Sequence, residues 1–123
     1  MLEIKPIQSK EEQEQVALAC ATPYLPDAMA YGAREDGKLL GICQFRILGE
    51  SAHLYDLVNT SGITDYEALI LMGRAALNFI NLCGIDRATC DLEGVTLHRA
   101  LGFANGEVDL TQYFDSKCGG CAN

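Results

Sequence analysis

A chain of 123 residues is long enough to bury one hydrophobic core and too short for two independent ones, so it is read as one domain. Hydrophobic residues at 49% and charged residues at 21% lie within ordinary globular usage and exclude a disordered chain. Seventeen Asp and Glu against nine Lys and Arg leave a net charge of −8, which repels phosphate backbones and anionic lipid heads and argues against nucleic acid or a membrane surface as partner.

Leu2, Ile4 and Ile7 bracket a first strand. Ser9 and Glu12 then form an S-x-x-E capping pattern that opens a helix through Ala21. No apolar stretch follows a basic start at the N-terminus, and no apolar run reaches a membrane span, so the protein is expected to be cytoplasmic. Pro23 and Pro26 end the helix. The stretch from Ala28 to Glu35 leads to Asp36-Gly37, a dipeptide favoured in tight hairpins, and Leu39 to Leu48 is the return strand. Gly49-Glu50 turns the chain into a further strand over Ala52 to Asn59, giving a meander of three antiparallel neighbours.

From Asp65 to Cys83, Leu69, Met72, Ala76, Phe79 and Cys83 recur every three or four positions, and Leu71, Ala75, Ile80 and Leu82 widen the stripe. This predicts the main helix, started by a T-x-x-E capping pattern at Thr64 and Glu67 and ended by Gly84 as a left-handed cap. Ile85 to Leu92 reads as a short buried strand. A short helix over Val95 to Leu101 closes on Gly102, and Phe103 to Phe114 reads as the last strand. The fold class is thus α/β (α+β), with the domain over 1–114 and a flexible tail over 115–123.

Six cysteines with no secretion signal are expected to be reduced thiols. Cys20, Cys43, Cys83 and Cys90 fall within apolar segments as small core residues. Cys118 and Cys121 form a C-x-x-C in the tail. Such a pair can hold zinc or another soft metal if a second chain or the rest of the fold supplies more ligands, and it opens a metal- or redox-linked thiol-tail reading.

The stretch LNFINLCGIDRATCDLEGVTLHRALGF, residues 77–103, resembles the second half of a GNAT-family N-acetyltransferase: a helix ending at Gly84-Ile85, a strand, then a short helix closing on Leu101-Gly102-Phe103. The preceding order of strand, helix, hairpin, strand and long helix is similar as well. The resemblance implies a mixed, mainly antiparallel sheet flanked by helices. It also implies acetyl-CoA as co-substrate, bound where two neighbouring strands splay apart, near Leu57 and Val58 and the amides of Ser61 and Gly62. The acceptor is then an amine on a small molecule or peptide. The family's Q/R-x-x-G-x-G/A pyrophosphate loop is replaced here by Asn59-Thr60-Ser61-Gly62-Ile63-Thr64-Asp65-Tyr66-Glu67, with one glycine, no arginine and two carboxylates near the helix start. A non-catalytic binding module with the same fold is therefore an alternative.

Direct transfer to an amine needs a base for the ammonium proton, an amide for the carbonyl oxygen and an acid for the leaving thiolate. The position of the family's acidic Tyr in L-Y-x-x-L-G-F holds His98, a residue type that can also donate a proton; Tyr113 and Tyr55 are alternatives. Asp56 is the candidate base, read as mid-strand on the same side of the pleat as Leu54 and Val58, desolvated and raised in pKa. Glu93 is a second candidate, and His53, alternating with Tyr55 and Leu57, is expected to pack. One strand too few after Phe103 leaves a sheet edge, which predicts a homodimer. The acidic balance points to a cationic acceptor such as a polyamine or basic peptide.

Overall fold

The computed structural model describes residues 1–91 and 95–111, without the side chains of Val95 and Thr96. Glu93, Tyr113, Cys118, Cys121 and the expected tail lie outside the described residues.

After β1 (Leu2–Pro6), Ser9 caps α1 (Lys10–Ala19) as its pattern predicts: Ser9 Oγ accepts the Glu12 N–H at 3.2 Å. The helix stops short of Ala21, which takes a φ of 54° and cannot continue it. β2 (Met29–Glu35) and β3 (Lys38–Leu48) form the predicted hairpin, and Asp36 and Gly37 adopt φ values of 52° and 83°, as a type I′ turn requires.

β4 (Ser51–Leu54) runs antiparallel to β3, and β5 (Val58–Asn59) resumes that ladder against Gly41 and Ile42. Between them Tyr55, Asp56 and Leu57 oppose only Cys43 and Gln44, so the strand expected over Ala52–Asn59 is broken by a bulge with one extra residue. One added residue inverts the faces. Leu54 and Leu57 both enter the main core, whereas Asp56 and Val58 turn to the side of α1, which corrects the shared pleat side read for Leu54, Asp56 and Val58.

The N-cap of α2 (Tyr66–Leu82) is Asp65 rather than Thr64: Asp65 Oδ1 accepts the Ala68 N–H at 3.0 Å. Asn59 fixes that choice, its Oδ1 accepting the Asp65 N–H at 3.1 Å while its Nδ2 donates to Leu40 O at 3.0 Å. The buried stripe of α2 is Ala68, Met72, Gly73, Ala76, Leu77 and Ile80, rotated from the predicted one, and Leu82 and Cys83 are exposed. The rotation follows from Gly73, where the missing side chain admits Leu101 of α3 (Val95–Leu101). Gly84 (φ 86°) and Gly102 (φ 89°) end the two helices as predicted.

β6 (Arg87–Cys90) pairs parallel with β4, and β7 (Glu107–Asp109) pairs antiparallel with β6. The strand expected from Phe103 is cut short by Asn105-Gly106, whose φ values of 55° and 79° make a tight turn, and by Asp109, whose Oδ1 accepts the Thr111 N–H. Among the described residues the sheet order is β1-β2-β3-β4-β6-β7, with β5 beside β3, mixed and mainly antiparallel as expected. Helices α2 and α3 cover one face, with Met72, Leu77, Ile80 and Leu101 on Phe45 and Leu54; α1 covers part of the other, with Val16 and Ala17 on Ala30 and Ile42. Cys20 and Cys43 are core residues as expected, Cys90 is half-buried, and Cys83 is the exception. Among the described residues no helix is long and apolar enough to cross a membrane.

Candidate functional site

Strands β4 and β6 stay in register from Ala52 opposite Ala88 to Leu54 opposite Cys90, and the last bond between them runs from the Asp91 N–H to Leu54 O at 3.1 Å. Past that point the β4 line follows β3 through the bulge, while β6 ends and the chain continues to α3. Two parallel strands thus part at their C-terminal ends, where open α/β sheets take ligands. In the bulge Tyr55 donates its N–H to Gln44 O at 2.8 Å, but the N–H groups of Asp56 and Leu57 meet no acceptor among the described residues. Unpaired amides beside a strand divergence can hold a polarised carbonyl oxygen.

The loop after β5 is only partly available to an anion. Ser61 N–H is spent on Ala19 O at 3.0 Å, and Thr60 is tied at both its N–H and hydroxyl to Leu40 O and Leu39 O. Gly62 (φ 84°) and Thr64 keep N–H groups without an acceptor among the described residues. The hollow beside them is lined by Glu35, Asp36 and Asp65 against the single cation Lys38, a poor field for phosphate.

Asp56 is 9% exposed, and each of its oxygens is occupied: Oδ1 by the Gln44 N–H, and Oδ2 by the Gln44 side-chain amide and the Thr22 hydroxyl at 2.9 Å. Burial pushes its pKa up; the Gln44 and Thr22 bonds oppose that without cancelling it. The network continues through Gln44 Oε1, which accepts from Gln13 Nε2 and the Leu25 N–H, so it pins the loop after α1 to the bulge.

His98 lies on α3, half-buried, its ring 6.4 Å from that of Phe103. Since α3 packs on the α2 side and Asp56 faces α1, the two residues read as an acid and base pair sit on elements at opposite faces of the sheet. Leu57 is brought to α3: a Cβ at Gly73 would meet both Leu57 and Leu101. Val58 lies on the other side, near α1. Cys43 is no nucleophile, because complete burial holds its thiol well above the usual range. Among the described residues no three His, Cys, Asp or Glu side chains cluster to hold a metal.

Read from the sequence, His53 has only a packing role, and the structure adds polar partners. Its Nε2 lies 3.0 Å from Asp91 Oδ2, its Nδ1 is hydrogen-bonded to Thr89 Oγ1, and the Tyr55 ring stands edge-on at 4.7 Å. The patterns H-x-Y at the end of β4 and T-x-D at the end of β6 were visible, but the parallel register that joins the two was not.

Comparison with solved structures decides the architecture. An IAA acetyltransferase from Bacillus cereus superposes with a TM-score of 0.68 at 14% identity, covering 83% of this chain and 76% of that one. The fold is GNAT. An N-acetyltransferase from Staphylococcus aureus gives the same TM-score at 12% identity over 89% of this chain and 99% of that one. PaiA N-acetyltransferase from Thermoplasma acidophilum, in complex with coenzyme A, gives 0.64 at 15% identity over the same two shares. No protein-family model and no curated protein matches the chain. At these identities the GNAT likeness speaks for the fold alone.

Proposed function

We propose that the protein is an N-acyltransferase that moves an acetyl group from acetyl-CoA to a primary amine. The observation that carries this reading is the parting of β4 and β6 after Leu54 beside a bulge whose Asp56 and Leu57 N–H groups lack an acceptor among the described residues. A thioester carbonyl placed there gains a hydrogen bond that strengthens as negative charge develops on its oxygen. The amine nitrogen then bonds to the carbonyl carbon and sheds its surplus proton to solvent, the carbon–sulfur bond breaks, and the thiolate takes a proton, for which His98 on α3 is the donor. Asp56 serves as the brace that holds the bulge open rather than as the base, because its carboxylate is already filled by three donors. The Gly62 and Thr64 amides are the groups left to meet the coenzyme's phosphates. A net charge of −8 draws cationic acceptors such as a polyamine or a basic peptide.

A second reading, a binding module that keeps the fold without the coenzyme, is favoured by the occupied Ser61 N–H and the Asp65 carboxylate at the start of α2. Thermal-shift titration with acetyl-CoA separates the two. A ligand specific for the folded state adds about 2.7 kcal/mol at a hundred times its dissociation constant. A rise in melting temperature together with thiol release on adding an amine supports the transferase. No shift at saturating acetyl-CoA leaves the binding module.

A further inference from the structure

His53 is gripped at both ring nitrogens by residues of the neighbouring parallel strand. It pairs with Thr89 in the ladder, and Asp91 lies one pleat further on, at the point where β6 leaves β4. The partners fix the protons. A carboxylate only accepts, so Nε2 carries its hydrogen toward Asp91, and in the neutral ring Nδ1 is left to accept the Thr89 hydroxyl hydrogen. Thr89 Oγ1 also lies 3.4 Å from Ala52 O, too far to compete strongly for that hydrogen. Carboxylate, imidazole and hydroxyl thus stand in line, the arrangement that directs an imidazole's basicity onto an oxygen. The cluster lies on the sheet face opposite Ala52, Leu54 and Ala88, with the His53 side chain 19% and the Asp91 side chain 64% exposed. With its carboxylate so open to water the pair adds little to stability, so stability alone is a weak reason for it.

We infer that Asp91, His53 and Thr89 form the proton-accepting relay of this site, an inference that rests on the acyltransferase reading. Thr89 Oγ takes a proton from the acceptor's ammonium as it gives its own to His53 Nδ1, and Asp91 stabilises the imidazolium that forms. The nitrogen lone pair so freed attacks the thioester carbon, the carbon–sulfur bond breaks, the surplus proton left on the nitrogen passes through solvent to replace the one His98 gives the thiolate, and the proton on His53 returns to solvent through the same hydroxyl after the product leaves. Thr89 is the catalytic residue, since it meets the amine; His53 and Asp91 are positioning residues that act through it. The register sets Arg46 of β3 across from His53, places Arg87 of β6 and Glu107 and Asp109 of β7 on the same sheet face beyond it, and the Tyr55 ring of the bulge stands edge-on to the imidazole.

The test uses the full chain with acetyl-CoA and three amines: propylamine, spermidine and a lysine-containing peptide. Thiol release is followed against pH for the wild type, Thr89→Val, Thr89→Ser, His53→Gln and Asp91→Asn, with an acetyl-CoA thermal shift on each. Thr89→Val and His53→Gln are expected to lose about a hundredfold or more in kcat, with the KM for acetyl-CoA unchanged, while Thr89→Ser retains most activity. His53→Gln should also lose the acid-side plateau of kcat/KM, leaving a rate that climbs with pH as the free amine appears. Wild-type kcat in a folded Thr89→Val overturns the relay and leaves the acetyl transfer standing. No acetyl-CoA binding, or binding without transfer to any of the amines, overturns the transferase and the relay together. Nitrogen NMR of His53 gives a readout independent of turnover: the proton is expected on Nε2, and a proton on Nδ1 in the neutral ring overturns the relay.

Discussion

Asp56 and Gln44 are joined twice, the Gln44 backbone N–H donating to Asp56 Oδ1 at 2.7 Å and the Gln44 side-chain amide donating to Oδ2 at 2.6 Å. The pair links the bulge after β4 to the centre of β3, and through Thr22 and Leu25 to the loop after α1. Removing the carboxylate strands a buried N–H. Asp56→Ala is therefore expected to destabilise the fold by about 1–3 kcal/mol, read from urea unfolding. A loss no larger than a surface substitution would show that water replaces the carboxylate without cost and that the brace is not needed.

The same residue sets a pH dependence. Burial holds the Asp56 carboxyl above the usual carboxylate range in the folded chain, so the native state binds its proton more readily than the unfolded state does. The stability this residue contributes is thus fully present below the unfolded value of about 4 and is lost as pH rises through the raised folded value. Unfolding free energy of the wild type should fall relative to Asp56→Asn as pH rises from about 4, and the difference should then level off. Other carboxylates cancel in that difference. Parallel curves for the two proteins would contradict the assignment.

Gly41 and Gly73 make opposite demands on their surroundings. A Cβ on Gly41 would stand 2.5 Å from Val58 O, a backbone atom of the paired strand, whereas a Cβ on Gly73 would meet the Leu101 side chain at 2.8 Å. Side chains yield and ladders do not. Gly41→Ala is expected to cost about 1–3 kcal/mol and to loosen β5 in amide exchange, and Gly73→Ala to cost less because Leu101 can turn aside. Equal thermal stability of Gly41→Ala and the wild type would mean that β5 can leave β3 without penalty.

How far the sequence could be read follows from which signals are local. Ser9 with Glu12, Asp36-Gly37, Gly84 and Gly102 each carry their own backbone requirement, and each gives the predicted cap or turn. The bulge at Tyr55–Leu57 has no local signature, since its cause is the mismatch of three residues against Cys43 and Gln44 on the partner strand. That one mismatch put Asp56 on the other face and made it a brace. The His53, Thr89 and Asp91 cluster was hidden for the same reason, since it depends on a parallel register between segments 36 residues apart. Asp65 outcompeted Thr64 as the cap because Asn59, six residues earlier, holds the Asp65 N–H.

The start of α2 offers the sharpest test of where the coenzyme's phosphates go. Asp65 caps the helix through Oδ1 and Glu67 lies in its first turn, so two carboxylates occupy the end that otherwise attracts anions. Asp65→Asn keeps an oxygen for the Ala68 N–H, and Glu67→Gln keeps the helix propensity, so the double variant removes charge without removing the cap. At about 0.3–1 kcal/mol for each charge, acetyl-CoA should bind roughly three- to thirtyfold more tightly, and the gain should shrink as salt is added. Calorimetric titration at low and high salt measures both effects. Unchanged or weaker binding at low salt would place the phosphates away from this helix end, leaving the Gly62 and Thr64 amides without the role given to them here.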